Sequence, residues 1–169
     1  MKVSLIRTVK APVRGTKLSA GIDFFVPEFN EKFVSDLIEK NNFIGETFEE
    51  ISNRLSFTLN PNERILIPSG IKVNFEGLPK ALIAFNKSGI AVKKGLDVLA
   101  CVVDQDYQGE VHINLVNISN KSVTIFQDEK IAQFIIMPIF YEDIEVVEIE
   151  NLYKSKTERG DGGFGSTNK

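Results

Sequence analysis

Short apolar segments separated by turn residues recur along most of this 169-residue chain. Apolar and polar side chains tend to alternate within them, which is typical of β-strands with one buried face. Short strands at such regular spacing indicate a β-barrel or a β-sandwich. The predicted strands are residues 3–7, 22–26, 64–67, 71–75, 81–85, 110–117, 122–126, 130–136 and 144–149. The sequence therefore predicts one all-β domain.

The segment of residues 30–55 departs from this pattern, because its apolar residues recur at helical spacing. Two short amphipathic helices, inserted between strands, are predicted there. Their apolar residues are Phe33, Val34, Leu37 and Ile38 in the first helix, and Phe48, Ile51 and Leu55 in the second. An apolar stripe of this kind normally packs against the parent domain. The alternative is that the insertion is a lid or a contact surface for a partner protein.

Charge and cysteine content narrow the classes of function. A formal net charge of −3 provides no field that would attract nucleic acid or an acidic membrane, so an anionic ligand would need local cations or a metal ion. Cys101 and His112 are the only residues of their types, which excludes the usual zinc sets and a disulfide framework within the chain. The chain has no run of about 20 apolar residues, and a soluble protein of the reducing cytoplasm is expected.

The segment VVDQDYQGEV, residues 102–111, is the main candidate for catalysis. An apolar strand leads into Asp104 and Asp106, and Gly109 closes the turn that follows. A carboxylate at a strand end can orient and deprotonate a water molecule, and Tyr107 offers a flat face to a sugar or base. The alternative is a plain hairpin whose aspartates bond backbone amides of the turn, and spacing alone favours this alternative.

Two further segments are candidates for binding an anion. In FNKSGIAVKKG, residues 85–95, a helix that begins near Ser88 and Gly89 could hold phosphate together with the ammonium of Lys87. Ser88 as an ordinary N-cap and Lys87 as a solvated lysine explain the pattern equally well. In EKIAQFIIMPIF, residues 129–140, Gln133 interrupts an apolar run and needs a partner, either the backbone or a phosphate.

The chain ends on the glycine-rich segment ERGDGGFGSTNK, residues 158–169. Such composition alone is typical of a disordered linker. The glycines would also let consecutive backbone amides converge on phosphate oxygens, with Arg159, Ser166 and Thr167 as further donors. Phe164 could then stack on a base.

Taken in order, five segments resemble the motifs of the trimeric dUTP diphosphatase family. They are AGID (20–23), NKSGIAVKKG (86–95), GLDVLACVVDQDYQGEV (95–111), EKIAQFII (129–136) and RGDGGFGST (159–167). The resemblance spans the chain except the insertion. It implies a jelly-roll-like β domain over residues 1–157 and a homotrimer with shared active sites. It also implies a mobile arm, residues 158–169, that closes the active site of a neighbouring subunit.

The resemblance also implies the reaction, hydrolysis of dUTP to dUMP and pyrophosphate. Asp104 would activate the water that attacks the α-phosphorus. Asp23 would support the residues that contact the substrate without contacting it itself. Tyr107 would lie against the deoxyribose and exclude a 2′-hydroxyl. Mg²⁺ would be held by the triphosphate and water rather than directly by the protein. The residues implied to contact substrate are Val98, Val102 and Val103 for uracil, Lys87, Ser88, Gly89 and Gln133 for phosphate, and Arg159, Phe164, Gly165, Ser166 and Thr167 from the arm.

Two residues depart from the family pattern. Lys87 stands where arginine is usual, and a lysine cannot grip two oxygens in a fixed fork. Cys101 stands where glycine is common, beside the uracil hairpin. A dCTP deaminase of the same fold is an alternative, but Asn114 stands where that family has its catalytic glutamate, and an amide cannot shuttle the proton. A nucleotide-sensing, partner-binding module is the alternative outside the enzymes.

Overall fold

The computed structural model describes residues 1–41, 48–51, 54–77 and 79–163. The strands are β1 (Lys2–Leu5), β2 (Val13–Arg14), β3 (Ile22–Phe25), β4 (Phe48–Ile51), β5 (Arg54–Leu59), β6 (Arg64–Pro68), β7 (Ile71–Asn74), β8 (Lys80–Asn86), β9 (Leu96–Val98), β10 (Val102–Val103), β11 (His112–Asn117), β12 (Val123–Phe126) and β13 (Lys130–Pro138). The helices are α1 (Glu31–Asn41), α2 (Ser88–Lys94) and α3 (Ile149–Leu152). Within these residues no helix has the length and apolar character needed to cross a membrane.

The strands form small antiparallel sheets around one apolar core. The largest sheet has the strand order β10-β8-β13-β3-β2, and a second has the order β6-β11-β9. Phe24 of β3 and Phe134 of β13 are fully buried, with ring centroids 4.3 Å apart. In β11, Ile113 and Leu115 are buried on alternate positions, as the period of a strand requires. The predicted all-β, jelly-roll-like class is confirmed.

Helix α1 is part of this core, as the helical spacing of the first half of the insertion predicts. It begins after Asn30, whose Oδ1 accepts a hydrogen bond from the backbone N–H of Phe33 at 3.0 Å. Phe33 and Leu37 are fully buried and belong to the same apolar cluster as the strands. The side chain of Asn41 at the last position bonds both the N–H and the C=O of Leu66, at 2.7 and 2.9 Å. These contacts fasten the helix to β6.

Replacement of Leu37 by alanine is expected to lower the free energy of unfolding by about 2–5 kcal/mol, because it leaves a cavity in a fully buried site. Ile38 on the same helix is 39% exposed, and its replacement by alanine should cost less than about 1 kcal/mol. Denaturant titration of both variants measures the difference. Equal losses of unfolding free energy in the two variants would contradict the packing of α1 against the core.

The second predicted helix of the insertion is wrong, because this part of the chain forms the hairpin β4–β5. Phe48 pairs with Phe57 in this hairpin, and β5 continues the sheet by pairing with β12. Ile51 and Leu55 are more than a third exposed, so no buried apolar stripe runs through these positions. Pairing of β5 with β12 overrides the helical spacing here, because these hydrogen bonds come from residues distant in the sequence.

The predicted last strand, residues 144–149, is also wrong. The last strand ends at Pro138, and residues 139–148 form no helix or strand before the single turn of α3. The side chains of Ile144 and Val146 are 94% and 93% exposed. Alternating residues form a strand only where another strand edge accepts their backbone hydrogen bonds. No strand within the described part of this chain pairs with the segment.

Candidate active site

A cavity of about 190 Å³ lies between β10 and the start of β11. The residues that line it include Cys101, Val102, Val103, Asp104, Tyr107 and His112. The structure therefore brings together the carboxylate, the aromatic ring and the hairpin valines that the sequence singles out. Val98 lies on the neighbouring β9, paired with Leu115, and is not among the lining residues.

Asp104 comes directly after β10, whose two residues pair with Ile83 and Leu82 of β8. Its carbonyl accepts a hydrogen bond from the N–H of Tyr107 at 3.2 Å, which closes the turn. The carboxylates of Asp104 and Asp106 are exposed and accept no hydrogen bond within the described part of the chain. The turn is thus closed by backbone groups, and the carboxylate of Asp104 is left available at the cavity.

Tyr107 is held in place by the backbone of the same turn. Its hydroxyl donates to the carbonyl of Glu110 at 2.9 Å, while its side chain remains exposed on the cavity side. A Cβ at position 109 would overlap the Tyr107 ring and hydroxyl, so the observed position of the ring requires Gly109. The ring orientation therefore depends on Gly109 and Glu110.

His112 lines the cavity, half-buried, with Nδ1 2.8 Å from the carbonyl of Glu110. Burial lowers the pKa of His112 below its ordinary value, so the ring is neutral at pH 7. The His112 ring therefore faces the cavity rather than open solvent.

A buried carboxylate with two lysines lies at the other end of the candidate site. Asp23 of β3 is 6% exposed and pairs with Lys87, at the end of β8, and with Lys130, the first residue of β13, at 3.2 Å. Burial would raise the pKa of Asp23, but the hydrogen bonds and charges of the two lysines outweigh it and hold that pKa below its ordinary value. One ionised carboxylate thus faces two ammonium groups, which leaves a net positive charge.

Gln133 lies beside this pair, since β13 places it opposite Asp23 in the register. Its Nε2 donates to the carbonyl of Asn86 at 2.8 Å, so the backbone is its partner in this structure. A Cβ on Gly21 would overlap the Gln133 side chain, so the observed position of the Gln133 amide depends on this glycine. The arrangement places Gln133, Asp23 and the end of β8 side by side.

Helix α2 begins at Ser88, as the sequence predicts, but Ser88 is not its N-cap. Lys87 occupies that position in an extended conformation and makes no side-chain capping bond. Ser88 and Gly89 are exposed in the first turn of the helix. The first N–H groups of a helix have no partner within the helix, so these two residues present backbone donors near Lys87.

Sequence reasoning missed three residues of this region. Asn86 donates to Asp97 and accepts from the N–H of Val98 at 2.8 Å, which ties the start of α2 to the hairpin of residues 98–103. Lys130 completes the pair of lysines on Asp23. Spacing gives no signal for Lys130, because residues three apart on a regular strand face opposite sides, and a register shift between Lys130 and Ala132 interrupts this alternation. Asn86 and Asp97 lie in predicted motifs but carry no signal of their own.

The arm contributes nothing to the cavity in the described part of the chain. Arg159 donates from Nε to the carbonyl of Gly162 at 3.1 Å, a contact within the arm. Phe164, Gly165, Ser166 and Thr167 lie outside the described residues. Their predicted roles stay predictions.

Comparisons with known proteins identify the family of this chain. The model of the dUTPase family matches residues 50–168. This chain belongs to the dUTPase family. The deoxyuridine 5′-triphosphate nucleotidohydrolase of Heliobacterium modesticaldum is 33% identical over 173 residues, which cover 99% of this chain and 96% of that protein. The enzyme of the same name from Fusobacterium nucleatum is 43% identical over 118 residues, 68% of this chain and 76% of the relative.

Solved dUTPase structures share the fold. The dUTPase of Staphylococcus bacteriophage 80alpha with dUPNHPP has a TM-score of 0.72 and 22% identity, covering 98% of this chain and 96% of that chain. A variant of the dUTPase from phage phi11 of S. aureus has a TM-score of 0.67 and 19% identity, covering 91% of this chain and 98% of that one. That variant coordinates a structural Mg(II) ion.

Proposed function

We propose that this member of the dUTPase family hydrolyses dUTP to dUMP and pyrophosphate, with Asp104 as the general base. Family membership supports the overall reaction. The observation that carries the role of Asp104 is its exposed carboxylate at a strand end on the cavity that Tyr107 and the hairpin valines also line. Asp104 would hold a water molecule, accept its proton and direct its oxygen to the α-phosphorus.

The substrate would extend from the cavity to the lysine pair. Uracil would enter between the hairpin of residues 98–103 and β11, contacting Val98, Val102 and Val103. Tyr107 would lie against the deoxyribose. The carbonyl of Cys101 already accepts a hydrogen bond from the N–H of Ala84 at 2.8 Å, so other backbone groups of the hairpin would read the base.

The phosphates would lie near the net positive charge of the lysine pair. Lys87, with the first-turn amides of Ser88 and Gly89, would hold them, and the amide of Gln133 would add a donor. Asp23 would not contact substrate, because its oxygens are engaged by Lys87 and Lys130. Lys130 would bind phosphate together with Lys87, in place of the single arginine of the family pattern. Two ammonium groups can each bind one phosphate oxygen, whereas one lysine cannot bind two oxygens in a fixed fork.

Mg²⁺ fits this site as a companion of the triphosphate. Within the described residues no cluster of three or more His, Cys, Asp or Glu side chains could hold a metal ion. Phosphate oxygens and water would therefore supply most of its ligands, which suits the preference of Mg²⁺ for oxygen and retained water. When bound, it would neutralise negative charge on the triphosphate.

A homotrimer with shared active sites is part of this proposal. Residues 139–153 expose many large apolar side chains that find no cover within the described chain. They are Phe140, Tyr141, Ile144, Val146, Ile149, Leu152 and Tyr153. Exposed large apolar side chains concentrated in one segment favour a protein–protein interface. We expect residues 139–153 to pack on a neighbouring subunit and to bring the arm of residues 158–169 over the active site of a neighbour.

Isotope labelling tests the site of attack. In water enriched with ¹⁸O, one turnover on dUTP should place the label in dUMP and leave pyrophosphate unlabelled, because the water attacks the α-phosphorus. Mass spectrometry of both products measures the distribution. Label in pyrophosphate, or release of inorganic phosphate, would contradict the proposed reaction.

A further inference from the structure

A cluster of charged side chains lies behind the turn that carries Asp104 and Tyr107. Arg7 follows β1, and its Nε and Nη2 donate to the two carboxylate oxygens of Glu110 at 2.7 and 2.9 Å. The side chains of Arg7 and Glu110 are only 9% and 11% exposed. This two-bond geometry fixes the direction as well as the distance of the pair.

Glu110 is anchored on both its side chain and its backbone. Its Oε1 also accepts the backbone N–H of Gly70 at 2.7 Å. Its carbonyl accepts the hydroxyl of Tyr107 at 2.9 Å. Burial alone would raise the pKa of Glu110, but the hydrogen bonds from Arg7 and Gly70 and the charge of Arg7 hold it below its ordinary value, so the anchor is ionised at neutral pH. The position of the Tyr107 ring therefore depends on Glu110.

The insertion helix reaches the same cluster. Asp36 of α1 lies 2.7 Å from Nη2 of Arg7, and its side chain is 20% exposed. A continuous set of contacts thus connects Asp36 to Arg7, Arg7 to Glu110, and Glu110 to Tyr107. The first two contacts join the helical insertion, the N-terminal segment and the catalytic turn, and the third lies within that turn.

Stability alone is a weak explanation for this cluster. Removing charged groups from water is costly, and apolar residues of similar volume often replace a buried ion pair with equal or greater stability. What apolar residues cannot do is hold the Glu110 carbonyl at a fixed angle through directed hydrogen bonds. The geometry imposed on the turn is therefore the better explanation.

We propose that Arg7 and Glu110 are positioning residues that fix the Tyr107 ring against the sugar, and that Asp36 extends this control to helix α1. This inference rests on the proposed role of Tyr107 in excluding a 2′-hydroxyl. A ring that loses its anchor can move aside and admit a ribonucleotide. The cluster would thus set the preference for dUTP over UTP.

The test measures kcat/KM for dUTP and for UTP in purified full-length variants. Arg7→Lys removes the fork, Glu110→Gln weakens the anchor, and Tyr107→Phe removes only the hydroxyl. Each should lower the ratio of the two kcat/KM values by about 3- to 30-fold, the range that residues coupled to a site commonly show. Asp36→Asn should also lower this ratio of the two kcat/KM values.

The matched control is Glu76→Gln, which removes an exposed ion pair with Lys2, 2.6 Å long, elsewhere on the surface. In this control, the ratio of kcat/KM for dUTP to kcat/KM for UTP should equal that of the wild type. A purely structural cluster would lower thermal stability and slow both nucleotides equally, so an unchanged ratio in folded Arg7→Lys and Tyr107→Phe overturns the inference. Tyr107→Phe keeps the test decisive if the Glu110 variant does not fold, since it leaves the cluster intact.

Tyr107→Ala separates this inference from the proposed function. If the alanine variant loses the preference for dUTP while Arg7→Lys and Tyr107→Phe retain it, the role of Tyr107 stands and the positioning role of the cluster is wrong. If the alanine variant also retains the preference, the assignment of Tyr107 to the sugar is wrong, and the inference falls with it.

Discussion

Replacement of Asp104 by asparagine is expected to lower kcat for dUTP by about 10²- to 10⁴-fold, the usual contribution of a general base. The amide has nearly the shape of the carboxylate but cannot accept the proton of the attacking water. Because the Asp104 side chain is exposed and makes no described hydrogen bond, the variant should fold normally. Pyrophosphate release measures turnover, and titration with a non-hydrolysable dUTP analogue measures binding, which should be retained.

Asp106→Asn is the matched control for this experiment. Asp106 lies in the same turn, is also exposed, and is not among the residues that line the 190 Å³ cavity shared by Asp104 and Tyr107. The control removes the same charge two residues away and should keep most of the activity. Equal losses in both variants would show that the turn needs negative charge in general, and near-normal turnover without the Asp104 carboxylate would refute its role as base.

Removal of residues 158–169 is expected to lower kcat/KM for dUTP by about 10²-fold or more, because a substrate that is not held in line with the attacking water reacts much more slowly. The arm would supply Arg159 and Phe164 to a neighbouring site and exclude bulk water from it. The described hydrogen bonds of residues 158–163 stay within residues 157–163. The shortened protein should therefore keep its thermal midpoint and its oligomeric state.

A shorter truncation provides the control, since removal of Asn168 and Lys169 alone leaves every predicted contact residue of the arm in place. Activity near that of the full chain is expected for it. Light scattering and thermal denaturation of both truncated proteins check the oligomer and the fold. Full activity without residues 158–169 would refute the proposal that the arm closes the active site. Loss of the folded oligomer would refute the proposal that the domain folds and assembles without the arm.

The elements that the sequence predicts well are those whose burial pattern is local. Alternation in β11 identifies Ile113 and Leu115 as core residues, and the pattern in α1 identifies Phe33 and Leu37, all of which are buried. Asp104 and Tyr107 are different, because spacing alone favours a plain hairpin there. Their proposed roles come from the resemblance of residues 95–111 to a motif of the dUTPase family.

Local spacing failed where a partner strand decides the structure. Phe48, Ile51 and Leu55 fit a helical period, yet the segment pairs with β12 through β5. Residues 144–149 alternate like a strand, yet no described strand of the same chain accepts them. In both cases the deciding hydrogen bonds come from residues distant in sequence, or from outside the chain.

In the candidate site, too, the sequence identifies single residues but not the contacts between them. Gln133 is identifiable as a polar residue in an apolar run, Lys87 as a cation at a helix start, and Asp23 from the family resemblance. Their proximity follows only from the register of β13 between β3 and β8. The chain of contacts from Asp36 through Arg7 to Glu110 spans more than 100 residues of sequence, and no local pattern could indicate it.

The order of residues along this chain by itself determined the all-β class, the helical first half of the insertion and the residue types available for chemistry at each strand end. Only the tertiary structure decided which backbone edges pair, which lysines neutralise Asp23 and what holds Tyr107 in place. The physical reason is that periodicity and turn chemistry act over a few residues, whereas strand pairing and buried ion pairs join segments whose proximity depends on the whole fold.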